Sequence, residues 1–288
     1  MLVTEVVQIE VADDPGLTLV RTSQGPLTCR WVVNAAGLGA DLIDHMFGHH
    51  GFTVTPRRGE LLVFDKAARS LVSHILLPVP TSRGKGVLVA PTVFGNVLLG
   101  PTAQDVADRT GTESTAAGLA MLTENGRRIL PALLAEEVTA TYAGLRAATE
   151  HNDYQIACHH DQRYVAVAGI RSTGLTSALA IAEHVLALMV TAGLEPGPPR
   201  RPAVPRMPNL GEATTRPYQD PAAIAADPAY GMIVCHCERV SRGEIRDALT
   251  APVPARTVGG VSWRTRAGNG RCQGFFCGAA VRAMVEAR

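Results

Sequence analysis

Several features that would place the chain in a broad class are missing from its sequence. It has no long uninterrupted apolar run, no charged segment followed by an apolar one, no internal repeat and no low-complexity tract. The longest apolar helical pattern, near residues 181–190, is interrupted by Glu183 and His184, which predicts a packed helix rather than a membrane span. The net charge of +1 argues against a general nucleic-acid or anionic-membrane partner. We therefore expect a cytoplasmic protein.

Cysteine is also scarce, and four of the six cysteines fall in two tight pairs near the C-terminus. The pairs are Cys235-x-Cys237 and Cys272-x4-Cys277, and each precedes a predicted helix, whose N-terminal partial positive charge stabilises thiolates. Four converging thiolates predict an iron–sulfur cluster, a zinc ion or two disulfides. Disulfides are the least favoured because no export signal is present.

Strand-like and helical patterns alternate outside this segment. Residues 31–37 combine a strand with a small-residue turn ahead of a predicted helix at 40–47, an arrangement that brings backbone N–H groups to nucleotides. A second glycine-bearing loop, at residues 169–176, precedes a predicted helix from Ser177 to Thr191 and could hold an anion or a carbonyl group. Both patterns are equally typical of turns that bind nothing. They predict an α/β unit.

The middle of the chain is rich in predicted strands, and a proline-rich stretch follows the α/β unit. Strands are expected at 59–64 and 74–79, at 154–159 and in the apolar run at 164–168, and a hairpin is expected around Phe94-Gly95. Nine prolines between residues 193 and 230 predict an extended linker or a wrapping arm. This stretch separates the large unit from the four-cysteine segment.

Several motifs together resemble a known family. They are Val-Val-Asn-Ala-Ala-Gly at 32–37, Gly-Lys-Gly-Val-Leu-Val-Ala-Pro-Thr at 84–92, Leu-Leu-Gly-Pro-Thr-Ala at 98–103, Ala-Gly-Leu-Arg at 143–146 and Gly-Ile-Arg-Ser-Thr-Gly-Leu-Thr at 169–176. They resemble D-amino-acid-oxidase-type FAD-dependent oxidoreductases, in the branch of glycerol-3-phosphate and 2-hydroxyacid dehydrogenases. Residues 235–237 and 264–277 resemble the bacterioferritin-associated-ferredoxin-like [2Fe–2S] domain that ends the large subunit of anaerobic glycerol-3-phosphate dehydrogenase.

The resemblance implies an α/β (α+β) FAD/NAD(P)-binding-type fold with an antiparallel-sheet substrate domain and a small, mainly helical C-terminal iron–sulfur domain. The domains expected are a partial FAD-binding domain at 1–50 and 145–192, a substrate domain at 51–144, a linker at 193–230 and the [2Fe–2S] domain at 231–288. Family members also carry Gly-x-Gly-x-x-Gly near the N-terminus, and this sequence does not. The fold is thus expected to be N-terminally incomplete through truncation, a split between subunits or loss of FAD binding, and FAD to bind weakly to the chain alone.

The resemblance also assigns roles to individual residues. Those expected along the ADP half of FAD are Asn34, Ala35, Ala36 and Gly37. Those expected at the flavin ring are Gly169, Ser172, Thr173, Gly174, Leu175 and Thr176. Arg146 is expected to bind an anionic substrate group, with a structural salt bridge as the alternative, and Arg171 is a second catalytic candidate.

For the terminal segment, the implied metal ligands are Cys235, Cys237, Cys272 and Cys277. The family motif favours a [2Fe–2S] cluster over zinc, because the one-residue spacing of a Cys-x-Cys pair suits a zinc site less well. Three arginines are expected to offset the cluster's charge, and two glycines to let backbone N–H groups reach its sulfides; they are Arg264, Arg266, Arg271, Gly268 and Gly270.

The implied function is FAD-dependent oxidation of a small anionic hydroxy or amino compound such as glycerol 3-phosphate, with electrons passing through the cluster to a redox partner subunit or another acceptor. The alternative is a non-catalytic electron-transfer or scaffold subunit whose flavin comes from a partner. Neither function involves nucleic acid, and any membrane association is expected to be peripheral, through a partner.

Overall fold

The computed structural model describes residues 4–11, 16–79, 86–198 and 215–287. The strands are β1 (Val6–Val11), β2 (Thr18–Thr22), β3 (Gly25–Cys29), β4 (Val32–Asn34), β5 (Thr55–Phe64), β6 (Leu88–Pro91), β7 (Val97–Gly100), β8 (Gln104–Asp105), β9 (Val138–Ala148), β10 (Gln155–His159), β11 (Tyr164–Ala168), β12 (Ile233–Cys235) and β13 (Val240–Ser241). The α-helices are α1 (Ala40–Met46), α2 (Ala116–Ile129), α3 (Gly174–Thr191), α4 (Pro221–Ala226), α5 (Arg242–Thr250), α6 (Val258–Thr265) and α7 (Gly278–Glu286).

The chain forms two compact units. The first comprises Met1–Gly59, Ala103–Glu113 and Ala143–Arg200, and the second comprises Glu60–Thr102, Ser114–Tyr142 and Arg201–Arg288. The second unit thus holds both the sheet expected in the substrate domain and the four-cysteine segment. This grouping differs from the four-part division expected from the sequence.

Strand β11 is the centre of the first unit. It runs parallel to β4 and antiparallel to β10, and all of its residues are buried. Because side chains alternate between the faces of a strand, Tyr164 packs with Phe47 of the α1 region, whereas Val165 packs with Val185 of α3. The continuous apolar run that predicted this strand therefore packs against α1 through one face and against α3 through the other. A separate antiparallel sheet, β1-β2-β3, completes the unit.

Helix α3 begins at Gly174, one turn earlier than predicted, and packs through one face only. Ile181 and Val185 contact the sheet, while Leu175 and Leu179 are 94% and 82% exposed. Its length and its hydropathy of 1.5 meet the requirement for a membrane span, although the core helix of a soluble protein can meet it as well. The prediction of a packed helix holds for the face toward β11.

The second unit contains an antiparallel sheet in which β7 lies between β6 and β5. The predicted hairpin around Phe94-Gly95 is confirmed as β6–β7, with Gly95 at a φ of +92°. The strand expected at 74–79 is wrong: only Leu76 pairs, in a single bridge to Val89. Pro78 has no N–H to donate to a neighbouring strand, and Val79 is 87% exposed. A longer strand would therefore add few hydrogen bonds and bury little apolar surface.

The cysteine segment has its own small core. Helices α5, α6 and α7 pack around Val240, Ile245 and Val261, and a capping box between Ser241 and Glu244 starts α5. This capping box joins two buried residues whose side chains satisfy each other's backbone N–H groups. The helical character predicted for this segment is confirmed.

Residues 215–230 pack on the cysteine segment as a wrapping arm rather than an extended linker. The Tyr230 hydroxyl donates to Asp247 (2.6 Å), and its ring lies where a Cβ on Gly243 would approach to 2.4 Å. Arg216 forms an ion pair with Glu244, both side chains being largely buried. The rest of the proline-rich stretch, residues 199–214, lies outside the described residues.

Candidate functional site

The four C-terminal cysteine side chains converge as two contacting pairs. The thiol of Cys237 meets that of Cys272, and the thiol of Cys277 meets that of Cys235. All four are free, and Cys235 and Cys277 are 1% and 2% exposed within the helical core. Sequence analysis predicted this set of residues.

The paired arrangement bears on which metal group fits. Among the described residues, no set of three or more His, Cys, Asp and Glu side chains surrounds a single metal position. Tetrahedral zinc requires four ligands around one point, whereas a [2Fe–2S] cluster takes its thiolates in two pairs, one on each iron. The two thiol pairs therefore fit a [2Fe–2S] cluster better than zinc.

Backbone donors distinguish the thiols from one another. The N–H of Phe276, the Cys237 thiol and the N–H groups of Gly274 and Phe275 lower the pKa of Cys272. Burial and the neighbouring thiols raise the pKa of Cys277 to about 11. N–H donors were expected from Gly268 and Gly270, but those that reach Cys272 lie at 274–276. Thiolate at Cys272 is thus stabilised by its own loop.

Gly270 allows close packing of the cysteine loops. A Cβ on Gly270 would lie 2.3 Å from the Cβ of Cys237, so no larger residue fits there without displacing a ligand. Gly268 adopts a φ of +90°, which glycine tolerates without strain, and a Cβ there would make only ordinary contacts, with the Ser262 hydroxyl oxygen at 3.5 Å and the Gly274 Cα at 3.8 Å. Gly270 is therefore the residue that lets the two ligand-bearing loops approach closely.

The arginines expected to offset the cluster's charge are engaged elsewhere. Arg271 forms ion pairs with Asp65 (3.2 Å) and Glu137 (3.0 Å). Arg264 donates to the backbone carbonyls of Gly260 and Val253. Arg271 is thus paired with carboxylates, whereas Arg264 has only neutral carbonyl partners. Their expected role in offsetting the cluster's charge stays a prediction.

Arg266 joins the cysteine segment to the sheet of the same unit. It contacts the buried carboxylate of Glu238 at 2.9 Å, and its guanidinium lies over the Phe94 ring, 3.9 Å from the centroid. Lys66 approaches the same carboxylate at 3.4 Å. Asp65 and Lys66, which we call the Asp-Lys strap, therefore hold Arg271 beside Cys272 and Glu238 beside Cys237.

In the first unit, the two predicted nucleotide loops lie at one edge of the sheet. Because β4 and β11 are parallel, residues 35–37 and 169–174 both follow carboxyl ends of strands, where open α/β sheets bind ligands. Ala35, Ala36 and Gly37 are exposed, and Gly37 has a φ of +57°. We call this the nucleotide edge.

Asn34 supports the nucleotide edge from within. Its side chain is 3% exposed; the amide donates to the Ala40 carbonyl and the Tyr164 hydroxyl, both at 2.8 Å, and accepts from the N–H of Ala36. These bonds fix the turn whose backbone is expected along the ADP half of FAD. Only the exposed backbone of the turn is left for a ligand.

The flavin-side loop presents backbone as well. Gly169 has a φ of +71°, and a Cβ there would meet backbone atoms of Asp153 and Gln155 at 3.3 Å. The Thr173 hydroxyl contacts that of Tyr154, and the Thr176 hydroxyl donates to the Thr173 carbonyl. These threonine side chains are thus engaged locally.

Three observations show that this loop suits an anionic or carbonyl group. No side chain caps the N-terminus of α3, which leaves backbone donors there for another acceptor. Leu175 and Ser172 are exposed beside it. The Thr149 hydroxyl is buried, lies near Gly169 and has no hydrogen-bond partner among the described residues.

A cluster of charged side chains lies on β5, β8 and β9 of the first unit. Arg57 pairs with Asp105 through two bonds of 2.6 and 3.0 Å across directly opposed positions of β5 and β8. Burial and the nearby Arg57 charge lower the pKa of Arg146, while Asp105 opposes that shift. Arg57 and Arg146 thus place two guanidinium groups near the Asp105 carboxylate, a grouping that suits recognition of an anion.

Sequence analysis predicted Arg146 but missed Arg57 and Asp105. Their opposed register depends on the pairing of β5 with β8, which a two-residue strand does not signal. The neighbouring Arg58 is buried and donates to the exposed side chains of Glu113 and Gln104. The signal that could have found Arg57 is the Arg-Arg dipeptide on a strand, since alternation puts one arginine on each face.

Arg171 is anchored to the loop before β10. Its Nη2 group donates to the carbonyls of His151 (3.1 Å) and Asn152 (2.8 Å). The other N–H groups of the guanidinium take no part in these two bonds. The catalytic role expected of Arg171 stays a prediction.

Comparisons with known proteins agree with this geometry. The family of FAD dependent oxidoreductases (DAO) matches residues 2–188, and the BFD-like [2Fe-2S] binding domain matches residues 233–287. The chain belongs to the FAD-dependent oxidoreductase family. Its α/β fold and its two predicted cofactors, FAD and a [2Fe–2S] cluster, are thereby confirmed.

The relatives include glycerol 3-phosphate enzymes. A glycerol 3-phosphate dehydrogenase of Caloramator mitchellensis is 39% identical over 282 residues, which cover 96% of this chain and 57% of that protein. A glycerol 3-phosphate oxidase of Mycoplasma pneumoniae is 35% identical over 161 residues, covering 55% and 42% of the two chains. This oxidoreductase therefore spans a little over half of its longer relative.

Solved structures show the same fold. Dithionite-reduced L-alpha-glycerophosphate oxidase of Mycoplasma pneumoniae, with FAD bound, has a TM-score of 0.58 and 32% identity, covering 65% of this chain and 50% of that one. Glycine oxidase of Bacillus cereus has a TM-score of 0.57 at 22% identity, covering 66% and 50%.

Proposed function

We propose that this FAD-dependent oxidoreductase oxidises glycerol 3-phosphate or a similar small anionic hydroxy compound. The observation that carries the proposal is the partly buried Arg146 beside Arg57, with Asp105 as the carboxylate that both approach. The names of the relatives support a phosphate-bearing substrate. An amino acid or a 2-hydroxyacid carries a carboxylate instead and is the next candidate class.

The arginines would bind and orient the substrate. A guanidinium forms two parallel hydrogen bonds to phosphate or carboxylate, which fixes the direction of the bound group. Since Arg146 is partly desolvated, its attraction for an anion is less screened than that of a surface arginine. Arg57 adds a positive charge, and both carboxylate oxygens of Asp105 hold the Arg57 guanidinium in place.

FAD, when bound, accepts the two electrons of the oxidation, and the cluster carries electrons singly. The residues proposed to hold FAD are the backbone of 35–37 and of 169–174, with the uncapped N-terminus of α3 favouring negative charge. The residues proposed to hold the cluster are Cys235, Cys237, Cys272 and Cys277. Transfer from the cluster to a separate acceptor is part of this proposal.

Calorimetric binding tests the substrate assignment. Wild-type protein is expected to bind glycerol 3-phosphate and not glycerol. Arg146→Gln should weaken binding by about 10- to 100-fold, the loss typical of a charge-assisted hydrogen-bond pair. The matched control is Arg127→Gln on the exposed face of α2, where the side chain is 64% exposed. Undiminished binding by Arg146→Gln would contradict the assignment.

Metal, sulfide and flavin analysis, followed by reduction of a dye with glycerol 3-phosphate and added FAD, tests the activity. We expect iron and sulfide in equal amounts and dye reduction that depends on the phosphate ester. A cluster that dithionite reduces, in a protein that no anionic substrate reduces, would favour the electron-transfer or scaffold alternative.

A further inference from the structure

The loop between Cys272 and Cys277 exposes two aromatic rings. Phe275 is 95% exposed and Phe276 is 67% exposed. Burial of an apolar ring is favourable, so a fold seldom leaves two adjacent rings in water without a use for them. The N–H groups of the same two residues lie at Cys272, so whatever contacts the rings is within a few bonds of a cluster ligand.

A third ring extends this surface. His236, which lies between Cys235 and Cys237, meets Phe276 edge to face, with ring centroids 5.0 Å apart. We call His236, Phe275 and Phe276 the aromatic tip. It joins both cysteine loops on one exposed surface.

One flank of the cysteine loops is already occupied. The Asp-Lys strap and Phe94 engage Arg271, Glu238 and Arg266 on the residues next to Cys272 and Cys237. The aromatic tip has no such cover among the described residues, since both phenylalanines stay exposed. A partner that approaches the cluster thus meets the aromatic tip.

The charge of the cysteine segment that carries the aromatic tip indicates the kind of partner. Residues 231–288 contain nine arginines and four acidic residues. Three of the four carboxylates, those of Glu238, Glu244 and Asp247, are paired with arginine. Three exposed arginines form no ion pair among the described residues; they are Arg242, Arg256 and Arg282. This surplus charge favours an acidic surface.

We propose that the aromatic tip is the docking surface for a small acidic electron-transfer protein, which takes one electron at a time from the cluster. The inference rests on the proposed electron-transfer function and adds the surface and the chemistry of the partner. The partner gains the electron that the cluster loses, and no bond is made or broken. Arginine with exposed phenylalanine also suits an anionic lipid surface, but contact beside a cluster ligand favours a redox protein.

The test uses the full-length protein with its cluster reduced by dithionite, so that it does not depend on substrate oxidation. Stopped-flow absorbance follows reoxidation by an acidic rubredoxin, a basic cytochrome c or ferricyanide. The double variant Phe275→Ala/Phe276→Ala keeps both N–H groups. It should slow reoxidation by the rubredoxin by about 10-fold or more, as truncation of a binding hot spot does. Its ferricyanide rate and EPR signal should match the wild type.

Arg282→Glu should slow the rubredoxin reaction and reduce its dependence on salt, because charge steers the encounter. Met121→Ala, an exposed apolar change on α2, is the control for lost surface area. An unchanged rubredoxin rate in the double variant would overturn the proposal. Binding of the wild-type protein to anionic phosphatidylserine vesicles, abolished in the double variant, would also overturn it. Failure of glycerol 3-phosphate to reduce the cluster would contradict the proposed function. The rubredoxin rates would still test the docking surface, because dithionite reduces the cluster in that assay.

Discussion

The cysteine loops and the nucleotide edge present their chemistry in different ways. At the cysteine loops, four reactive side chains converge, and backbone donors and ion pairs surround them. At the nucleotide edge, the side chains of Asn34 and Thr173 are engaged within the fold, and exposed backbone faces outward. The first surface depends on residue type and the second on backbone conformation. They should therefore respond differently to substitution.

The largest expected effect is at the thiols. Cys272→Ser removes the thiolate that three backbone donors stabilise, so we expect almost complete loss of bound iron and sulfide. Metal and sulfide analysis measures it. Cys158→Ser on β10 is the matched control, because Cys158 is a lone free cysteine and should leave both contents unchanged. Full iron content in Cys272→Ser would remove Cys272 from the ligand set.

The next effect comes from a glycine that holds no metal. Gly270→Ala places a Cβ 2.3 Å from that of Cys237, and overpacking of this kind costs about 1–3 kcal/mol. We expect lower thermal stability and partial loss of the cluster. Gly259→Ala in α6 is the control, since its nearest atom, the Thr257 hydroxyl oxygen, lies 3.8 Å away. Equal behaviour of the two variants would show that the loops can move apart freely.

At the nucleotide edge, Asn34→Ala should act through stability. It leaves the Ala40 carbonyl and the Tyr164 hydroxyl each short of a buried partner, at a cost of about 1–3 kcal/mol. Urea unfolding measures the change. Ser172→Ala, on the exposed part of the other loop, should change the unfolding free energy by less than about 0.5 kcal/mol. The reverse order would mean that Asn34 is free to contact a ligand.

The smallest effect is the pH dependence of the first unit. Burial raises the pKa of Asp41, but bonds from Arg109 and from the N–H of Val54 outweigh it and lower the pKa overall. The stability from this group is fully present above the unfolded pKa, about 3.9, and is lost as pH falls through the lower folded pKa. Arg109→Gln should reduce this acid dependence. Unfolding midpoints of the wild type and of Arg109→Gln, measured between about pH 5 and about pH 2, provide the test. Identical profiles would exclude the Arg109–Asp41 ion pair as the cause.

Sequence patterns predicted what depends on local residue order. The apolar run of β11, the β6–β7 hairpin and the four cysteines were all found in this way. Partners at long range were not: Arg57 meets Asp105 only after β5 pairs with β8, and Arg271 meets Asp65 across 206 positions. The strand expected at 74–79 failed because composition does not show whether a neighbouring strand is available for pairing. Cofactor roles at the nucleotide edge remain predictions.

The Asp-Lys strap also limits how the cysteine segment can seat on its sheet. Two consecutive residues of opposite charge face two partners of opposite charge, Arg271 and Glu238. Displacing the segment by one position along the strap would bring Arg271 to Lys66 in one direction and Glu238 to Asp65 in the other. Either shift replaces an attraction with a repulsion, so the strap opposes both neighbouring alignments of the cysteine segment.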